Sequence, residues 1–536
     1  MVGDCSEYDL ELDILHGQLP EDLSGSYYCV GGVPHKSGTH IFAGDGMVFR
    51  LDLTARPPRL ISRWVHPHEH ERTHLPRFEW NMLQVEAVGA VRNLANTALY
   101  PFAGQLLVTY DGGRPYILDP LTLQTLSPVG RLEEWLSVIP HPLLPSVITS
   151  AHIGVADGNA YFCNYLTDAL PVGGSETRIL RWDGRADLQA WPVRGLKIRY
   201  GVHQLELTRD YIVLLDMPTP AIAGWDKIVD SARIQRIADE THVYWIRRAD
   251  LTGANQKDGV SFKELRLPRE NIHFAVEYDH PPGELQLYIP HNCTLNIFEK
   301  ITEQDHEYYT GNLAEPGIRG FLHNPTDLNV FGKYRIDAEN ARLIDSQLLI
   351  DQTYGWGLNL FTPYQPYKAA DGRRYLWPFA SGFHCNTFTK RYAEAYRDYN
   401  HRTVPFEALP RTDVPGRLLR LRLDDLVIED SFEFAVDETI ASHQFIDQGK
   451  GYILCVVQSD CLPGDRFVLF DAMHLSRGPL CEMGHACLKM AYTIHSTYLP
   501  SVESVPLDYR IDAATDYGHN LARFPSEVLR ALTGKQ

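Results

Sequence analysis

Residues 106–119 read LLVTYDGGRPYILD, two apolar runs joined by a Gly-Gly turn. This pattern predicts a β-hairpin. Similar apolar runs return along the chain at 212–217, 285–289, 452–457 and 467–470. Convincing helix candidates are few, and the best are residues 390–399 and 526–532. The chain is therefore predicted to be an all-β protein.

Size and charge limit the function classes. The chain has 536 residues, is 44% hydrophobic and carries a formal net charge of −18. No Ser/Gly-rich or Pro-rich linker divides it, so we expect a single domain over residues 1–536. Binding to nucleic acid needs clustered lysine and arginine, which this charge balance argues against.

Cellular location is predicted from the first residues and the cysteines. Residues 1–10 are polar and acidic, which argues against a signal peptide. The nine cysteines are scattered singly, without a CxxC motif. We expect a reduced, cytoplasmic protein without a disulfide framework.

Three histidines recur at wide intervals beside strand-like stretches. His203 follows His152 by 51 residues, and His273 follows His203 by 70. Blades of a β-propeller run roughly 40 to 50 residues, so this spacing allows about one histidine per blade with loop insertions. A propeller is favoured over a sandwich.

With His495, these residues make a candidate metal-binding set. Neutral imidazoles suit a first-row metal such as Fe(II), whose usual non-haem oxygenase site is two histidines and a carboxylate. The set has rivals in His280, His291 and His519. The tract 66–74 (HPHEHERTH) lies among charges and prolines and is better explained as a solvated loop.

A series of motifs resembles the carotenoid cleavage oxygenases, almost from end to end. They are 17–25 (GQLPEDLSG), 40–49 (HIFAGDGMVF), 112–123 (GGRPYILDPLTL), Ser150-Ala151-His152, Val202-His203, 273–278 (HFAVEY) and 470–480 (FDAMHLSRGPL) followed by Ile494-His495. Each motif is weak alone, but their order is specific.

This resemblance implies a seven-bladed β-propeller, with loops and short helices covering one face over a central metal. It implies one Fe(II) per chain, held by His152, His203, His273 and His495 as the only protein ligands. It also implies that O2 cleaves a carbon–carbon double bond of a lipophilic olefin into two carbonyl products. A dry pocket would protect the reactive species from water.

Ligand histidines need outer hydrogen-bond partners. The resemblance implies three glutamates in this role, and the sequence departs from that pattern. Glu438 is the best match to one, with His443 as a rival. Asp111 stands where a second is usual, with a side chain one methylene shorter. The third place reads Leu360-Phe361-Thr362 and contains no acid.

Two segments of the chain bear on the substrate. Residues 133–148 and 354–367 are apolar or aromatic and are expected to line or roof a tunnel. The first segment is either a lip that touches membranes peripherally or a buried loop. No convincing lysine precedes His152 to grip a phenol, so an apocarotenoid or similar polyene or terpenoid is preferred over a stilbenoid or phenylpropenoid. A non-oxidative isomerase and a non-catalytic binding propeller remain alternatives.

Overall fold

Seven antiparallel sheets follow one another around a central axis in the computed structural model of the protein. The structure describes residues 6–34, 38–68, 93–139, 146–167, 175–217, 234, 236–361, 365–513 and 515–517. The predicted all-β, seven-bladed propeller is confirmed. Among the described residues, no helix is both long enough and apolar enough to cross a membrane.

We number the blades in chain order. From its innermost strand outwards, blade 1 contains Tyr492–Leu499, Ser26–Val33, Asp45–Asp52, Arg59–Trp64 and Asp9–Glu11. Blade 2 contains Ala98–Phe102, Gln105–Tyr110, Gly113–Leu118 and Thr125–Pro128. Blade 3 contains Gly154–Ala156, Asn159–Tyr165, Thr177–Trp182 and Gln189–Pro192. Blade 4 contains Val202–Leu207, Tyr211–Asp216, Glu240–Arg247 and Lys263–Pro268.

The second half of the ring is built in the same way. Blade 5 contains Ala275–Val276, Glu284–His291, Val330–Asp337 and Arg342–Leu349. Blade 6 contains Leu358–Asn359, Phe379–Ala380, Arg417–Arg422 and Val427–Glu433, with Arg374–Leu376 and Tyr367–Lys368 added beside them. Blade 7 contains Thr439–Ile446, Tyr452–Gln458, Arg466–Asp471, Cys481–Gly484 and Asp13–Gly17. A separate pair joins Ser137–Ile139 to Ser146–Val147.

Helices are short throughout the described ranges. α-Helices with defined bounds are Asn255–Asp258 and Lys390–Ala395, the second within the predicted 390–399 stretch, and residues 513 and 515–517 are also helical. The 3₁₀ turns are Leu132–Glu134, Arg248–Asp250, Pro316–Ile318, Cys385–Thr387, Phe406–Ala408 and Leu475–Arg477. The predicted helix at 526–532 lies outside the described residues.

The hairpin at 106–119 shows why many strands of this chain are continuous apolar runs in the sequence. Gln105–Tyr110 pairs with Gly113–Leu118, as predicted. Leu106 and Val108 pack towards blade 1, whereas Leu107 packs towards blade 3. Because both faces of the blade are covered by neighbouring blades, both sets of alternating side chains are apolar. Seven clusters of buried side chains, one at each blade junction, form most of the described core.

The two ends of the chain close the ring. Tyr492–Leu499 is the innermost strand of blade 1, where His495 pairs with Val30. Asp13–Gly17 is the outermost strand of blade 7. Gly46 lies where blade 1 meets the connection to blade 2, and a Cβ there would sit 2.1 Å from the Ala95 carbonyl oxygen. Close packing therefore explains why glycine occupies position 46 in the motif at 40–49.

A buried ion pair fastens the C-terminal segment to blade 2. Arg114 and Asp516 form a bidentate pair, and neither side chain is more than 1% exposed. Asp516 also bonds His68 Nδ1 at 3.2 Å. Burial would raise the pKa of the Asp516 carboxyl, but the hydrogen bonds from Arg114 and His68 hold that pKa at about 2.

We predict that Asp516→Ala lowers the free energy of unfolding by about 3–5 kcal/mol, because it leaves the Arg114 guanidinium buried without its counter-charge. Urea unfolding followed by fluorescence measures the change. Asp508→Ala is the control, because Asp508 is an exposed carboxylate in the same segment. Equal urea concentrations at the unfolding midpoint for the two variants would show that the buried pair does not stabilise the fold.

Candidate metal centre

The four predicted histidines come from four different blades. His495 lies on the innermost strand of blade 1 and His203 on that of blade 4. His152 and His273 each lie two residues before the innermost strand of blades 3 and 5. Innermost strands surround the axis of a propeller, so one side chain from each converges there.

The structure brings all four imidazoles together. Each is buried, and one ring nitrogen of each lies within 4.8 Å of those of the other three. The Nε2 atoms of His152 and His495 are 3.1 Å apart, and those of His203 and His273 are 3.2 Å apart. The rivals lie elsewhere: His291 bonds the Glu270 carbonyl and the Tyr334 hydroxyl, and His280 bonds the Pro281 carbonyl. His519 lies outside the described residues.

Acceptors on the outer side of the rings fix their tautomers. Nδ1 of His203 lies 2.9 Å from an Asp111 carboxylate oxygen. Nδ1 of His273 lies 3.2 Å from Asn359 Oδ1, and Nδ1 of His495 lies 3.2 Å from the Phe361 carbonyl oxygen. All three partner atoms accept hydrogen bonds, so these Nδ1 atoms carry a proton, and in the neutral form of each ring Nε2 presents a lone pair.

His152 has a different outer partner. Its Nδ1 lies 2.7 Å from the hydroxyl of Tyr100, which can both donate and accept. Burial lowers the pKa of His152, His273 and His495 well below the usual range, and neighbouring histidines lower it further. These three rings are therefore neutral at physiological pH, as metal ligands must be.

Two blades without ligands supply the outer partners. Tyr100 and Asp111 belong to blade 2, where Asp111 occupies the hairpin turn. Asn359 and Phe361 belong to the first strand of blade 6 and the residues after it. The Leu360 N–H also donates to Asn359 Oδ1 over 2.8 Å, which fixes the orientation of that amide. The outer shell thus contains one carboxylate and three neutral groups.

The structure corrects the prediction for Glu438. Its carboxylate pairs with Arg466 and also accepts the Ala435 N–H over 2.9 Å, so it contacts none of the four histidines. The rival His443 bonds the Trp377 carbonyl through Nε2. In the third place, where the sequence contains no acid, the backbone carbonyl of Phe361 is the partner of His495. Asp111 lies where the sequence predicts it.

The donor set fits a metal ion. With Nδ1 protonated and both rings neutral, the Nε2 atoms of His203 and His273, 3.2 Å apart, present lone pairs to each other, and a cation between them removes that repulsion. A metal–imidazole bond of about 2.1 Å separates two nitrogens at right angles by about 3 Å. Four imidazoles suit iron, copper, nickel or zinc, so the donor set accommodates Fe(II) without selecting it alone.

A cavity of about 520 Å³ extends to the centre. His203, His273 and His495 line it, whereas His152 does not. Its apolar walls include Phe42, Ile272, Leu295, Ile297, Phe361 and Phe379. A small molecule in this cavity would lie directly beside a metal held by the histidines.

Of the two segments predicted to line a tunnel, one contributes to the cavity wall among the described residues. Gly357, Asn359 and Phe361, from segment 354–367, line the cavity. The described residues of segment 133–148 do not, and Trp135 packs on Phe162 inside the core between blades 2 and 3. Residues 140–145 of that segment lie outside the described residues.

Comparison with known proteins places this geometry in a family. Residues 2–500 match the family described as "Retinal pigment epithelial membrane protein". "Resveratrol cleavage oxygenase 1" of Chaetomium globosum is 23% identical, over 92% of this chain and 85% of the relative. "Carotenoid cleavage dioxygenase 7, chloroplastic" of Oryza sativa subsp. japonica is 32% identical, but that match covers only 23% of each chain.

Among solved structures, the cobalt-substituted apocarotenoid oxygenase of Synechocystis superposes with a TM-score of 0.62. The match covers 93% of this chain and 97% of that one at 16% identity, which supports the fold. Together with the family match over residues 2–500, this confirms the resemblance to carotenoid cleavage oxygenases: the chain belongs to the retinal pigment epithelial membrane protein family.

Proposed function

We propose that the protein is an Fe(II)-dependent oxygenase that cleaves a carbon–carbon double bond of a neutral, lipophilic olefin. The observation that carries this proposal is the cluster of four buried histidines, three of which line one end of a largely apolar cavity. Relatives named as cleavage dioxygenases and oxygenases support the reaction class. Fe(II) held by the four histidines would supply the binding and activation of O2.

The cavity wall favours a neutral substrate. The described lining residues include no lysine or arginine, and their carboxylates are Asp111, Glu315, Asp437 and Asp460. Apart from the metal itself, a carboxylate or phenolate would meet no opposite charge on the described walls and would lose hydration on entry. An uncharged olefin avoids both costs.

The chain's own residues position and shield the reaction. Phe361 packs on His273 and His495, with ring centroids 5.7 and 5.2 Å apart, and on Phe379 at 4.5 Å. These aromatic rings form an apolar wall beside the metal ligands and exclude water from that side. Because the cavity is lined by His203, His273 and His495, the olefin would approach the metal through it.

A hydroxylated stilbene or phenylpropenoid is the second candidate substrate class. The relative matched over 92% of this chain is named for resveratrol cleavage. Asn96, Thr97, Asn292 and Thr439 on the cavity wall offer polar groups to a neutral hydroxyl. A phenol bound in its neutral form satisfies the charge argument as well as a polyene does.

The proposed reaction predicts consumption of about one O2 per olefin and two carbonyl products. We would incubate Fe(II)-loaded protein with matched panels of apocarotenoids and hydroxylated stilbenes, follow O2 uptake and identify products by mass spectrometry under ¹⁸O2. Heat-denatured protein with Fe(II) is the control. Isomerised olefin without O2 uptake would replace the oxygenase proposal with an isomerase.

His203→Ala should remove iron binding while leaving the fold intact. We predict about one iron per chain in the wild type and less than about a tenth of that in the variant, because three imidazoles no longer enclose the ion. Elemental analysis after anaerobic reconstitution measures the iron. His280→Ala is the control, because His280 is also buried but lies outside the cluster. Full iron content in His203→Ala would refute the ligand assignment.

Asp111→Ala should weaken the metal site without abolishing it. The variant leaves His203 Nδ1 without its acceptor, and we predict a dissociation constant about 10–100-fold higher. Anaerobic Fe(II) titration measures the change. Asp119→Ala is the matched control, because Asp119 caps a turn in the same blade through Leu121 and Thr122. Equal affinities for the two variants would contradict the role of Asp111.

A further inference from the structure

Gln204 links the strands that carry two of the four histidines. It directly follows His203 on the innermost strand of blade 4, and it is 1% exposed. Its Nε2 donates to the Phe274 carbonyl over 2.7 Å, and its Oε1 accepts the Phe274 N–H over 2.9 Å. Phe274 directly follows His273. One side-chain amide therefore makes both hydrogen bonds that a paired strand would make.

The backbone around Gln204 also holds the third histidine. The His152 N–H donates to the His203 carbonyl over 2.9 Å, and the Leu205 N–H donates to the His152 carbonyl over 3.1 Å. These bonds join blade 3 to blade 4 on one side of Gln204, while its side chain joins blade 4 to blade 5 on the other. The relative positions of His152, His203 and His273 are thus set at one residue.

Glu206 fixes the orientation of this amide. The second Nε2 hydrogen of Gln204 is available to Glu206 Oε1, which lies 2.8 Å away, so both amide hydrogens and the amide oxygen are engaged. Glu206 is 6% exposed, and no described lysine or arginine pairs with it. Burial raises the pKa of Glu206 to about 8, which keeps this carboxyl protonated at neutral pH.

We propose that Gln204 is a positioning residue for the four-histidine centre and that Glu206 holds its amide in place. This inference rests on the proposed metal site and concerns residues that do not line the cavity. The Gln204 amide keeps His203 and His273 at the separation that one ion requires, before any metal arrives. Without it, blades 4 and 5 separate or slide at the axis and the ion must pull the ligands together at the expense of affinity.

The test is an anaerobic Co(II) titration of the full-length protein, followed by the visible absorption of the bound ion. Gln204→Met keeps the side-chain volume but loses both bonds to Phe274, and we expect its dissociation constant to rise about 10–100-fold. Gln105→Met is the matched control: Gln105 is also buried, and its Nε2 donates to the Val505 carbonyl over 2.6 Å. We expect less than about a twofold change there.

A purely structural role would lower the melting temperature of the metal-free protein without a selective loss of affinity. We expect Gln204→Met and Gln105→Met to lower that temperature similarly while only the first loses Co(II). Equal Co(II) affinities for these two variants would overturn the inference. A wild type that binds neither Co(II) nor Fe(II) would overturn the proposed metal centre itself, which distinguishes the two failures.

Co(II) affinities of Glu206 variants test the same inference without requiring Gln204→Met to fold. Glu206→Gln retains an oxygen that can accept from Gln204, and we expect Co(II) affinity within about twofold of the wild type. Glu206→Met removes that acceptor, and we expect weaker binding. Equal affinities for Glu206→Gln and Glu206→Met would show that Glu206 does not hold the Gln204 amide.

Discussion

Mutual repulsion among imidazole lone pairs is the constraint on which the centre depends. Asp111, Asn359 and the Phe361 carbonyl take the outward protons of three rings, so their Nε2 atoms face inwards. Buried lone pairs that face one another are unfavourable unless a cation lies between them. The outer hydrogen bonds therefore create a site whose energy falls when a metal binds.

The histidines and their outer hydrogen-bond partners come from different blades of the propeller. Blades 1, 3, 4 and 5 supply the histidines, whereas blades 2 and 6 supply their outer partners. Closure of blade 1 by the C-terminal strand is also what places His495 on the axis. The strand Tyr492–Leu499 therefore completes both the ring and the metal centre, so a chain that ends before Tyr492 would lack both.

Short-range pattern was sufficient to predict the fold class, because hairpins such as 106–119 are local and both of their faces are buried. The histidines could be selected because each stands in a motif. Asp111 could be found because it occupies the turn of a recognisable hairpin. Tyr100 and Asn359 could not, since their roles depend on how blades 2 and 6 lie across the axis. The place of Phe361 could be recognised, but the role of its backbone carbonyl could not, because no side-chain pattern encodes it. Glu438 was misassigned because sequence order does not show that Arg466 lies beside it.

X-ray absorption at the iron K-edge of anaerobically reconstituted protein tests the central claim most directly. Multiple scattering from imidazole rings counts the histidine ligands independently of any substrate. The structure predicts about four imidazoles around one iron, with the remaining scatterers oxygen from solvent. Two or fewer imidazoles, or a shell made mainly of carboxylate oxygen, would contradict a centre built from His152, His203, His273 and His495.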